Sequence, residues 1–150
     1  MYSREELKQL KHEFWEGFGQ FCAIHPELKN RKNKFMLYNT KIKGVELKFD
    51  ANREGAFVIL EINHRSETER LAKYEQIEQY RVILEEEFPE GLIWDFSYHL
   101  GGRKEVCRIY THKSGIDLHR RLDWMEFYKF MAEEMIKLER AFINIKDLLE

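Results

Sequence analysis

Val45, Leu47 and Phe49 alternate with Glu46, Lys48 and Asp50, the period of two expected of a half-buried strand. The polar stretch 51–55 that follows ends in Gly55 and has the composition of a hairpin loop. From Ala56 to Ile62 the chain is apolar on both faces until Glu61, which predicts a central strand with something packed over each side. Upstream, Phe35, Leu37 and Asn39 alternate with Met36, Tyr38 and Thr40 and predict an earlier strand, after which Gly44 permits a turn or bulge. The short connections favour antiparallel pairing.

Helical spacing brackets these strands. Ser3 and Glu6 make a capping box ahead of Leu7, Leu10, Phe14, Phe18 and Phe21, so the first helix runs from about Ser3 to about Ala23 and stops before Pro26. Gly17 and Gly19 weaken it and would let it approach the sheet closely. Ser66 and Glu69 form a second capping box, and Leu71, Tyr74, Ile77, Arg81, Leu84 and Phe88 trace one helical face up to Pro89. Trp94, Phe96 and Tyr98 then share one face of a strand, Gly101-Gly102 turns the chain, and 105–110 returns as another. Asp123 with Glu126 reads as an N-cap, opening a last helix with apolar positions Trp124, Tyr128, Met131, Met135, Leu138, Phe142, Ile145 and Leu149. That helix, of about 27 residues and about 40 Å, is longer than one small sheet needs. Its far half, Leu138 to Leu149, offers a homodimer contact, with core packing the alternative. The order is α-β-β-β-α-β-β-α. It predicts one α+β domain over 1–150, with a mostly antiparallel five-stranded sheet and a long C-terminal helix.

Charge narrows the function classes. Charged residues are 35% of the chain while the net charge is only -2, which argues against a globally basic nucleic-acid binder and leaves room for a local patch. Cys22 and Cys107 sit singly in apolar surroundings and read as small core residues. No apolar run approaches the roughly 20 residues that span a bilayer. The N-terminal stretch lacks the apolar centre of a signal peptide, so a cytoplasmic location is expected, with no membrane partner.

Two stretches carry candidate chemistry. Arg31, Lys32 and Lys34 belong to the basic run 29–34, which reads as a phosphate patch or as a solvated loop. Asn63, His64 and Arg65 lie where an apolar strand meets a helix N-terminus, a junction suited to anions, with Arg65 able to grip phosphate or carboxylate. Together these six residues form the expected ligand surface, for nucleic acid or a partner protein. The plainer role of Asn63 and His64 is to satisfy backbone groups at a strand end. No phosphate loop, nucleophile elbow or Cys-His pair is present, and His25, His99, His112 and His119 lack zinc-ligand spacing. No cofactor and no metal are expected.

A helix, three strands, a helix and a strand is also the core order of the restriction-endonuclease-like fold. The alternative function is therefore a divergent metal-dependent nuclease using Glu46, Asp50 and Glu61. Asn63 stands where that fold places Lys, and an amide carries no positive charge. Gln76 and Tyr80 resemble a motif some such nucleases carry on the following helix.

Glu13-Phe14-Trp15 with Phe18, Gly44-Val45-Glu46-Leu47, 61–65, Leu92-Ile93-Trp94-Asp95, Arg108-Ile109-Tyr110 and His119-Arg120-Arg121 before Asp123-Trp124 together carry a resemblance over nearly the whole chain. The chain resembles a bacterial family known only as a domain of unknown function. That family is found alone or at the end of longer proteins, some of them restriction or DNA-related. The resemblance implies a bacterial, soluble, non-catalytic module and brings no catalytic residues with it.

Overall fold

Two antiparallel hairpins make the sheet. β1 (Val45–Asn52) pairs with β2 (Gly55–Ile62), and β3 (Ile93–Gly101) pairs with β4 (Lys104–Lys113). β2 also pairs antiparallel with β4, so the strand order is β1-β2-β4-β3. The computed structural model describes residues 2–32, 34–37 and 39–150. The remaining elements are α1 (Arg4–Ile24), α2 (Glu67–Glu78), α3 (Arg81–Leu84), a 3-10 turn over Arg121–Asp123, and α4 (Trp124–Lys146).

The α+β class, the antiparallel sheet and the long last helix are as the sequence predicts, but the sheet has four strands, not five. Among the described residues of 35–40 no strand forms, and Tyr38 lies outside them. The segment gives its backbone groups to scattered partners. Met36 N–H donates to the Glu139 carboxylate (2.6 Å), and the Leu37 carbonyl accepts from Leu47 N–H (2.9 Å). It therefore lies along the outer edge of β1 without building a ladder.

One face of the sheet carries the main apolar cluster, while Ile59 and Val106 are buried on the other. Leu47 of β1, Val58, Leu60 and Ile62 of β2, and Cys107 and Ile109 of β4 join the helices in one apolar cluster. The opposite face holds Glu46, Lys48, Phe57, Ile59, Glu61, Arg108 and Tyr110, none of which enters that cluster. β2 is central, as its apolar run requires. Over its second face lie long side chains of neighbouring strands rather than a second layer.

Helix details differ in instructive ways. The Ser3 capping box of α1 closes in both directions. The expected helix over 66–88 breaks after Glu78: Tyr80 N–H closes a tight turn on the Ile77 carbonyl (2.9 Å), and α3 restarts beyond it. Asp123 does not cap α4; its carboxylate instead accepts from Asp117 N–H (3.0 Å) and pairs with Arg120. Gly17 brings α1 close to α4 rather than to the sheet, since a Cβ there would collide with the Tyr128 hydroxyl. β3 is an edge strand with register shifts between Asp95 and Tyr98 and between His99 and Gly101. The first shift splits the expected Trp94/Phe96/Tyr98 stripe. Trp94 packs on the core, Phe96 is exposed, and Tyr98 lies under the Arg108 guanidinium, 4.1 Å from its ring centre.

α4 buries its apolar stripe in its own chain along its full length. Leu138, Ala141, Phe142, Ile145 and, beyond the helix, Leu149 are all within 3% exposure. The stripe itself is thus taken up by the core, while Ile143 and Leu148 of the same far half stay exposed. Leu138→Glu with Ile145→Glu should abolish the cooperative thermal transition by circular dichroism, because each buried charge costs several kcal/mol against a total stability of about 5–15 kcal/mol. A folded double variant of halved mass by light scattering would support the dimer.

Candidate functional site

The β2–α2 junction is built by local constraints. Asn63 N–H donates to the Gly44 carbonyl (2.8 Å), carrying the β1–β2 pairing one residue past the strands. The His64 ring lies directly over Gly44, at φ 77°, where any Cβ would overlap it. Burial pushes the His64 ring below its ordinary value against the opposing charge of Glu69, so the ring is neutral at pH 7. Ser66 caps α2 by accepting from Glu69 N–H (3.3 Å). One turn in, Arg70 is 5% exposed and donates from Nη1 to the His64 carbonyl (3.1 Å).

Facing this junction is the β3–β4 turn, whose Gly101 and Gly102 both take positive φ and deliver Arg103 and Lys104. Together the two segments enclose a cleft of about 690 Å³ that includes Asn63, His64 and Arg65. Four cations line it: Arg65, Arg70, Arg103 and Lys104. None makes an ion pair among the described residues. Two acids also line it, Glu67 and Glu105, the second accepting from the Ser97 hydroxyl (2.8 Å). Arg70 Nε and His64 Nδ1 are buried without a hydrogen-bond partner.

The basic run does not join this cleft. Arg31 donates to Glu139 (2.9 Å), and Lys34 Nζ folds back on the carbonyls of Leu28 (3.1 Å) and Arg31 (3.1 Å). Lys32 is exposed, and Asn33 lies outside the described residues. Arg31 and Lys34 line cavities on the α4 and α1 sides instead, so the expected ligand surface divides in two.

Glu46 and Glu61 do meet, as directly paired residues of β1 and β2. One Asn63 amide nitrogen donates to both, at 3.0 and 3.2 Å. Lys48 Nζ is 2.7 Å from Glu61 and 3.7 Å from Glu46, and Arg108 donates to Glu61 from its own register position on β4. The space between the carboxylates is filled by an amide and an ammonium. Asp50 stays apart, accepting from Ala51 N–H (2.8 Å). Among the described residues no three His, Cys, Asp or Glu side chains gather as metal ligands. Gln76 and Tyr80 are structural: Gln76 donates to the Leu148 carbonyl (3.1 Å), and Tyr80 packs on the core. Both thiols are buried and pushed up to about 11 by that burial.

Periodicity could have flagged two residues that pattern reading missed. Arg70 stands four before Tyr74 and seven before Ile77, on the buried face of α2. Glu139 follows Met135 by four and precedes Phe142 by three, inside the apolar stripe of α4.

Glu61 supplies a pH test. Burial raises its carboxyl, but hydrogen bonds from Lys48 and Asn63 and the charges of Lys48 and Arg108 outweigh that, and it sits below the ordinary 4.5. Its stabilisation is therefore complete above the unfolded value and is lost as pH falls through the lower folded value. Urea midpoints between pH 7 and pH 3 should drop steeply on the acid side for the native chain. Glu61→Gln should cost about 3 kcal/mol at pH 7 by leaving the cations uncompensated and should show a shallower acid slope; parallel profiles would refute the account.

Among the described residues no helix is long and apolar enough to cross a membrane. No curated protein and no solved structure matches the chain. A family model matches residues 10–146, nearly the whole of it. The chain is thus a member of the family described as a domain of unknown function, DUF4268.

Proposed function

We propose that this domain is a non-catalytic binding module that holds a phosphate-bearing polymer, a nucleic acid, in the cleft between the β2–α2 junction and the β3–β4 turn. The observation that carries the reading is the set of four cationic side chains, two on each wall of the cleft, with no ion-pair partners among the described residues. A buried guanidinium with an unused Nε is costly, and an anion is the ligand that relieves it. The N-terminus of the twelve-residue α2 adds free N–H groups and a favourable dipole. Asn63, His64 and Arg65 remain the core of the site; Arg70, Arg103 and Lys104 replace Arg31, Lys32 and Lys34 as its cations.

A second reading, a divergent metal-dependent nuclease, draws on the Glu46–Glu61 pair with Lys48 beside it. It stands behind the first because both carboxylates are already compensated by Lys48, Arg108 and Asn63, and Asp50 is elsewhere.

The test is fluorescence anisotropy of labelled single- and double-stranded DNA and RNA against the full chain, at low and moderate salt, with and without Mg²⁺ or Mn²⁺. Salt-sensitive binding without cleavage is expected. Arg65→Glu with Arg103→Glu should weaken it at least tenfold and lower the salt slope by about 1.5–2, while Lys32→Glu leaves it nearly unchanged. No binding at low salt would reject the module and leave a protein partner as the ligand. Metal-dependent cleavage that Glu61→Gln removes would bring the nuclease forward.

A further inference from the structure

We propose that a second pocket, between α1 and the edge of β1, binds a small flat aromatic acid. The cavity is about 380 Å³, in the range of about 300–1,000 Å³ that holds small molecules. It lies away from the cleft and shares no residue with it.

Four aromatic rings wall it. Trp15 and Phe18 come from α1, Phe49 from β1, and Phe35 from the segment lying along β1. Phe18 and Phe35 are nearly parallel, 7° apart, with centres 6.5 Å from each other. Phe49 meets both edge-on, at 5.0 and 5.2 Å. Edge-to-face contacts favour this array without a ligand, so the walls are preformed. Trp15 is 38% exposed at one side, a large ring left partly uncovered. Gly19 explains why the pocket stays open: the position where its side chain would stand has no atom within 4 Å.

The charge of the walls selects the ligand. No acidic residue lines the pocket, and its two charged residues are Lys34 and Lys48. Lys48 is held by Glu61 and Glu46. The Lys34 ammonium is fixed by backbone carbonyls and has no carboxylate within ion-pairing distance among the described residues. Its charge reaches the Cys22 thiol, another lining residue, and opposes the upward push of burial there. Aromatic walls alone would also suit a cation; a fixed ammonium with no carboxylate counter-ion beside them repels one and attracts an anion. A flat apolar ring bearing a carboxylate satisfies both features.

The test titrates 2-naphthoate, 2-naphthalenemethanol and 2-naphthylmethylammonium into the ¹⁵N-labelled full chain and follows the Trp indole N–H signals. Trp94 and Trp124 donate to Glu85 and to the Leu118 carbonyl and serve as internal controls. The Trp15 signal should shift saturably with 2-naphthoate at a Kd below about 1 mM, and the alcohol and the ammonium should bind about tenfold more weakly. Gly19→Leu should fill the pocket and abolish the shift. Its melting temperature should hold or rise, since Gly is the poorer helix former. A Trp15 signal unmoved by 2-naphthoate, an ammonium that binds equally well, or a folded Gly19→Leu chain that binds unchanged would each overturn the proposal.

Discussion

The buried charge of Glu61 constrains everything around it. A carboxylate 1% exposed in the middle of the central strand is tolerable only with partners on every side. They arrive from three directions: Lys48 from β1, Arg108 from β4, and Asn63 from just beyond β2 itself. Because side chains alternate along a strand, a slip of one residue in either pairing would turn Lys48 or Arg108 to the opposite face and strand the charge. The ion cluster thus sets the register of three strands at once. Its Asn63 arm also sets where β2 ends and the turn into α2 begins.

From that register the division of labour between the two faces follows. With the ion cluster committed to one face, the other is left largely apolar, and the helices gather there. α4 lies across it and also reaches sideways, where Glu139 holds the Met36 amide and the Arg31 guanidinium. That single carboxylate fastens the irregular chain between α1 and β1, and so fixes the position of Phe35 beside β1. The junction cleft arises at the strand ends, where β2 and the β3–β4 turn project beyond helix cover.

The parts of the fold legible in the sequence were those whose partners are close in the chain. The alternation of β1 and the run of β2 meet across a two-residue turn, and the capping box of α1 is complete within four residues. The stretch 35–40 alternates as well as β1 does, yet Glu139 and Leu47 take its backbone groups singly, and no local pattern reveals partners so distant. The site divides in the same way. Asn63, His64 and Arg65 stand out because a strand end meets a helix cap. Arg103 and Lys104 look like ordinary turn residues until the β2–β4 pairing brings them opposite that cap. The basic run 29–34 misled for the converse reason: Arg31 turns to Glu139 and Lys34 folds back on nearby carbonyls, both away from the cleft, which clustering in sequence cannot show.

The irregular outer strand has a consequence for how the chain behaves in company. An unpaired strand edge is a template on which identical molecules can stack into extended, insoluble assemblies. Here the β1 edge is shielded by the segment at Leu37, and β3 changes register twice within its nine residues. A neighbouring molecule offering a regular strand could match only a few of its amide and carbonyl groups before falling out of step. The sheet ends at four strands by construction, and the exposed Phe96 and Leu100 on that edge can stay in water without nucleating aggregates.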